Sequence, residues 1–307
     1  MLKRDITRFD ALHSYPNLEA FYRDTPKEEL TTIKYGAGDL DILFLDREAS
    51  TTVVCFHAAL SPSGTNSYPL FSALRMTTDL DANIICVSDP ILERGLSLGW
   101  YAGAEGQPLQ RDLPNVIRHF LSRCKVNQHV VFFGSSGGGF ASLYYSHGFP
   151  GSSVLAMNPQ TNIAEYTPKT VSDYVQRAWG KSEIEQTPIT YNLTDVYRDG
   201  FPNTVYFMQN LYDAHHRDRH VAWWMRGIPA HSPNMNLLMD DWGFGHVPPP
   251  SDLAEAALKA VVEKDRDRLA ELGFINAPAK DEPARLFLAR KAAQQKTCLL
   301  YTSPSPR

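Results

Sequence analysis

His129-Val130-Val131-Phe132-Phe133-Gly134-Ser135-Ser136-Gly137-Gly138-Gly139-Phe140 is the stretch that decides the reading of this chain of 307 residues. Val130 to Phe133 are β-branched and aromatic, the composition of a strand covered on both faces. Phe140-Ala141-Ser142-Leu143-Tyr144-Tyr145 then reads as a small-residue helix. Between them lies G-x-S-x-G, which carries meaning only with a strand before it and a helix after it. A turn this tight has no room for side chains two residues before and after the serine. That selects Ser136, flanked by Gly134 and Gly138, over Ser135, which would have Phe133 in one of those places. Ser136 is therefore a candidate nucleophile.

Outward from this turn, short apolar runs alternate with helical patterns. Strand signals lie at 31–35, 40–45, 52–56, 83–87, 153–157, 204–209 and 235–239. The first two flank Gly36-Ala37-Gly38-Asp39, which predicts an antiparallel hairpin. Leu113, Val116, Ile117, Phe120, Leu121 and Cys124 follow helical spacing, with Asp112 as a cap. A short helix is expected within 18–30, and further helices at 68–76, 171–179 (closed by Gly180) and 215–226. A long one is expected after the Ser251 N-cap, ending at Gly273. The alternation predicts an α/β fold: a mostly parallel, roughly eight-stranded sheet with helices on both faces.

Hydrophobic residues make up 43% of the chain, enough for a globular core. There are 30 Lys and Arg against 34 Asp and Glu, with no basic run. This argues against nucleic-acid and anionic-membrane partners. No apolar run spans a bilayer and no apolar segment follows Met1 to Thr7, so a cytoplasmic protein without a signal peptide is expected. Cys55, Cys86 and Cys124 sit in apolar runs and read as free buried thiols. Cys298 to Arg307 resembles the translation of a transposase-type sequencing adapter. It is set aside as a read-through artefact, and the natural chain is expected to continue differently past Thr297.

A serine hydroxyl needs a base, and the base needs an orienting partner. In open α/β sheets such groups gather at the carboxyl ends of strands. His246 follows the run at 235–239, in a loop with Gly243, Gly245 and Pro248, and is the candidate base. Asp213 follows the run at 204–209 and is the candidate orienter, favoured over its plainer reading as an N-cap of the helix starting near His215. Asp240 and Asp241 are rivals that more naturally shape the His246 loop. Two backbone N–H groups are needed for an oxyanion. Gly137 should give one, and the loop His57-Ala58-Ala59-Leu60 the other, through Ala59 with Ala58 nearly equivalent. His57 reads as an anchor for that loop.

With the elbow at Gly134 to Gly138, the His57-Ala58 pair, Asp213 and His246 in that order, residues 31–273 resemble the α/β-hydrolase superfamily, and its serine esterases in particular. The resemblance implies a single domain over 1–275, with an N-terminal extension at 1–30 and a cap-like insertion at 160–200. A charged segment at 276–297 follows, then the adapter-derived 298–307. It implies a Ser136–His246–Asp213 triad, an acyl-enzyme and no cofactor. Two departures are Ala58 in place of the usual glycine and the extra Gly139, which is expected to loosen the helix start.

The resulting expectation is a serine hydrolase acting on carboxylic esters of a small molecule or a glycan. Thioesters and amides share the chemistry. Substrate choice is expected in the loops at 61–67, 94–107 and 160–200. Two alternatives stand beside it. His216 and His220 at i, i+4 with Asp213 close by could form a metal site, but Arg217 occupies the place where a zinc-protease motif has Glu. The other is a hydrolase-fold protein that binds without catalysis. A phosphate cradle fits poorly, since the glycine run lacks the P-loop lysine.

Overall fold

Val130 and Phe132 pack into one buried layer, Val131 and Phe133 into another. A strand apolar on both sides therefore lies at the centre of the fold, as parallel sheets require. The computed structural model describes residues 3–60, 67–124 and 128–302, with side chains to Ala293. Ser61 to Asn66 of the first substrate loop, the side chains of 294–302, and Ser303 to Arg307 lie outside the described residues.

The first strands are β1 (Lys3–Arg4), β2 (Leu12–Tyr15), β3 (Glu29–Tyr35), β4 (Gly38–Leu45), β5 (Thr51–Phe56), β6 (Ser67–Tyr68) and β7 (Asn83–Val87). Next come β8 (His129–Ser135), β9 (Ser153–Met157), β10 (Thr204–Asn210), β11 (Met235–Asp240) and β12 (Ile275–Asn276). The main sheet has ten strands in the order β12-β11-β10-β9-β8-β5-β7-β4-β3-β2. From β7 through β11 every pairing is parallel. The hairpin β3–β4, the β4–β7 pair and the β11–β12 pair are antiparallel. The short edge strands β2 and β12 account for the two strands beyond the expected eight, and the chain has an α/β fold with a mostly parallel sheet.

The α-helices are α1 (Leu18–Arg23), α2 (Leu109–Arg123), α3 (Gly137–His147), α4 (Pro168–Trp179), α5 (Leu193–Tyr197), α6 (Ala222–Gly227), α7 (Ser251–Glu263), α8 (Arg266–Glu271) and α9 (Glu282–Thr302). The stripe Leu109, Leu113, Val116, Ile117 and Phe120 of α2 joins Phe140 and Leu143 of α3 on one face of the sheet. Ala257, Leu258 and Val261 of α7 cover the other. Residues 160–200 are not a detached body, because Ile163, Tyr174, Trp179 and Leu193 belong to the same buried layer as α2 and α3. Among the described residues no helix is long and apolar enough to cross a membrane.

Four local expectations are corrected. Residues 68–76 form no helix, since Ala73 takes a left-handed φ of 66°. Asp112 lies inside the first turn of α2, with Pro108 at the cap position, and accepts from Tyr35 Oη instead. Ser251 is the first helical residue of α7 and makes no side-chain cap bond, the cap position being Pro250. The long helix expected after Ser251 is two, because Lys264 turns left-handed and Asp265 caps α8 by accepting from Arg268 N.

The elbow glycines are dictated by close approach. A Cβ on Gly134 would lie 2.3 Å from Gly138 O, and one on Gly138 would lie 2.4 Å from Phe56 O and 2.6 Å from His57 O. Gly139 is held to glycine by close approach as well. It admits Pro159, whose Cβ would be 2.6 Å from an added methyl. Gly138→Ala is expected to lower stability by about 3 kcal/mol in urea denaturation, since backbone carbonyls cannot give way. Gly148→Ala, whose nearest new neighbour is 3.5 Å away, should leave the midpoint nearly unchanged.

Candidate active site

β8 ends at Ser135 and α3 begins at Gly137, so Ser136 alone makes the turn, with φ 55° and ψ −118°. Such a conformation is costly for a residue with a Cβ and persists only when its surroundings over-determine it. Here Ser136 N donates to Met157 O at 2.9 Å and Ser136 O accepts from Phe140 N at 3.1 Å. The hydroxyl is held up at the carboxyl end of the sheet while the residue is only 6% exposed.

The structure brings the three predicted residues together. His246 Nε2 lies 3.1 Å from Ser136 Oγ, and His246 Nδ1 lies 2.6 Å from Asp213 Oδ2. Asp213 follows β10 and is buried, and its Oδ1 also accepts from His216 N at 3.2 Å. It thus meets the imidazole of His246 and caps the next turn of chain at once. Burial alone would raise the Asp213 pKa. Hydrogen bonding and charge from His216 and His246 outweigh it and hold the carboxyl well below the ordinary carboxylate range.

The loop carrying His246 is pinned by two asparagines at neighbouring strand ends. Asn210 Nδ2 donates to Gly243 O and Gly245 O, both at 2.8 Å, and its Oδ1 accepts from Tyr212 N and Trp242 N. Asn158 Nδ2 donates to Val247 O at 2.8 Å, and its Oδ1 accepts from Asn210 N at 2.7 Å. Asp241 Oδ1 accepts from Gly243 N, and Asp240 is exposed. Both rivals of Asp213 therefore shape or flank this loop.

His57 is buried and anchors the second loop. Asp89 N donates to its Nε2 at 3.1 Å, so the ring proton sits on Nδ1 and goes to Ala58 O at 2.7 Å. Burial lowers the His57 pKa to about 4, with the Ala58 hydrogen bond opposing, and keeps it neutral. Fixing the Ala58 carbonyl also fixes the Ala59 N–H, which points the opposite way across the same planar peptide. Neither that N–H nor the Gly137 N–H has an acceptor among the described residues.

Sequence reasoning passed over Gln160 and Trp100. Gln160 stands just past β9 and is fully buried. Its Nε2 lies 2.8 Å from Ser136 Oγ and 2.9 Å from His216 Nε2, and its Oε1 accepts from Trp100 Nε1 at 3.0 Å. A search of strand ends for carboxylates and imidazoles does not register a carboxamide. The His216 ring stacks on that of His246 at 4.0 Å and 18°. The chain at His216–Val221 is a π-helix, where a regular α-helix was expected. His220 N–H and C=O aside, its ring is committed to the core, with Nδ1 accepting from Thr161 N at 3.3 Å. Burial, with His216 and His215 beside it, takes its pKa down to about 2. The donor atoms of Asp213, His216 and His246 lie within 4.8 Å of one another, so a metal reading would centre there and not on the His216–His220 pair.

No protein-family model matches the chain, and no curated protein matches it in sequence. Solved structures do share its fold. The capsule O-acetyltransferase of Neisseria meningitidis serogroup A superposes with a TM-score of 0.53 at 13% identity, over 79% of this chain and 94% of that one. MPT51 of Mycobacterium tuberculosis superposes at 0.50 and 10% identity, over 74% and 94%. The Glycosylation Associate Protein (Gap123) complex of Streptococcus agalactiae gives 0.52 and 16%, over 79% of this chain and 46% of that one. The chain has the α/β-hydrolase fold.

Asp89, beneath the site, accepts from Ile91 N and Tyr101 N, and burial pushes its pKa up to about 6 against these two bonds. The folded value exceeds the unfolded one of about 3.9. Its contribution is therefore complete below about pH 4 and lost as the pH rises through about 6. Asp89→Asn is expected to flatten the decline of melting temperature over that window, in thermal melts taken across it.

Proposed function

We propose that the protein is a serine hydrolase of carboxylic esters, on a small molecule or a glycan, working through Ser136, His246 and Asp213. The observation that carries this reading is the continuous contact from Ser136 Oγ through the two nitrogens of His246 to Asp213 Oδ2. It stands on an elbow whose φ of 55° presents the hydroxyl. Ser136 Oγ attacks the acyl carbon and its proton passes to His246 Nε2. The carbonyl electron pair moves onto oxygen, where the Gly137 and Ala59 N–H groups receive it. Collapse expels the alcohol, whose oxygen takes the proton back from His246. Water then repeats the sequence on the acyl-enzyme, and Ser136 leaves as the hydroxyl. Asp213, kept ionised, stabilises the imidazolium in each half. Trp100 packs edge-on against Tyr166 and Tyr174 at 5.9 and 5.4 Å. That contact supports the insertion at 160–200 as the cap over the site.

A fluorophosphonate probe with peptide mapping tests the reading. Labelling should fall on Ser136 and slow by about 1,000-fold or more in His246→Ala. A folded protein that is not labelled at all contradicts it. Ester turnover should drop by about 10³- to 10⁴-fold in Asp213→Asn and only a few-fold in Asp241→Asn, and the reverse order would reassign the orienter. Activity should survive chelator treatment. Loss that zinc restores would favour the metal site instead.

A further inference from the structure

Gln160 sits where the orientation of its amide can be decided. The Trp100 indole N–H is a donor and nothing else, so the Gln160 atom facing it must be the oxygen. The opposite placement would set two donors against each other at 3.0 Å. The NH₂ group therefore faces both Ser136 Oγ and His216 Nε2, with one hydrogen for each. An imidazole nitrogen that accepts a hydrogen bond carries no proton. His216 must then be neutral and protonated at Nδ1, which lies 2.9 Å from Asp213 Oδ2 without the alignment of a hydrogen bond.

Resting on the triad reading, we propose that Gln160 is a further catalytic residue, locked by Trp100. One of its N–H groups supports Ser136 Oγ as that atom loses its proton. The other holds His216 in the neutral Nδ1–H form against the face of His246.

The need for a lock follows from the stacking. When His246 takes the serine proton it becomes a cation, and the His216 ring lies 4.0 Å from it, face to face. A second imidazolium there would oppose the transfer, whereas a neutral ring fills the space without charge. Asp213, His215, His220, His246 and Tyr166 are the titratable groups seen against His216 among the described residues. Gln160 is the neutral donor that reaches its outer nitrogen.

The proposal is tested by ¹⁵N-resolved NMR of the histidine rings in the wild-type protein near neutral pH. His216 should show a protonated Nδ1 and a bare, hydrogen-bonded Nε2. A protonated Nε2 overturns the proposal, and this readout does not depend on whether Ser136 reacts. Gln160→Glu keeps the shape and the bond from Trp100 but replaces the two donors by an acceptor. His216 should then gain its second proton, and fluorophosphonate labelling of Ser136 should slow by about tenfold or more. Trp100→Phe, which frees the amide to flip, should show both effects in weaker form. Unchanged His216 resonances and unchanged labelling in folded Gln160→Glu contradict the assignment. Absence of labelling in the wild-type protein would instead count against the triad reading, leaving the tautomer result to decide the role of Gln160.

Discussion

Three backbone segments meet at the end of β8 with no side chain between them. The Gly138 backbone lies under Phe56 O and His57 O, and Gly134 lies against Gly138 O, each closer than a methyl group would allow. This contact bends strand into helix within one residue and leaves Ser136 at φ 55°. The rest of the site depends on it.

Carboxamides then do much of the positioning. Asn210 and Asn158 hold the His246 loop by bonds to its backbone, and they bond each other. Gln160 does the same for the side chains of Ser136 and His216. A carboxamide presents a donor and an acceptor on one rigid plane and stays neutral, so it can tie loops together inside the sheet end without adding a charge to the electrostatics around Asp213. Where a charge is present it is shared. Asp213 faces two imidazoles and a backbone N–H, which is why it remains ionised despite burial.

Much of this was legible in the chain, for physical reasons that differ by element. The buried strands announce themselves by uninterrupted apolar runs, and the elbow by glycines where no side chain fits. Asp213 and His246 were found because strand ends collect polar groups in this kind of sheet. Gln160 stood at such an end too, but a neutral amide has no distinctive chemistry until its partners are known, and Trp100 is sixty positions away. The missing helix at 68–76 and the split after Glu263 depend on single left-handed residues, Ala73 and Lys264, which no periodicity marks. His216, whose ring stacks on His246, opens a π-helix, a register that helical spacing does not predict.

The central claim is that Ser136 becomes covalently acylated and then released. Its most direct test is acid quenching of the protein during turnover of an activated ester, p-nitrophenyl acetate, followed by peptide mass spectrometry. The account predicts one acetyl group on the peptide containing Ser136, absent when Ser136 is replaced by alanine. Ester hydrolysis that proceeds with no acetyl group on Ser136, or that persists in Ser136→Ala, would contradict it.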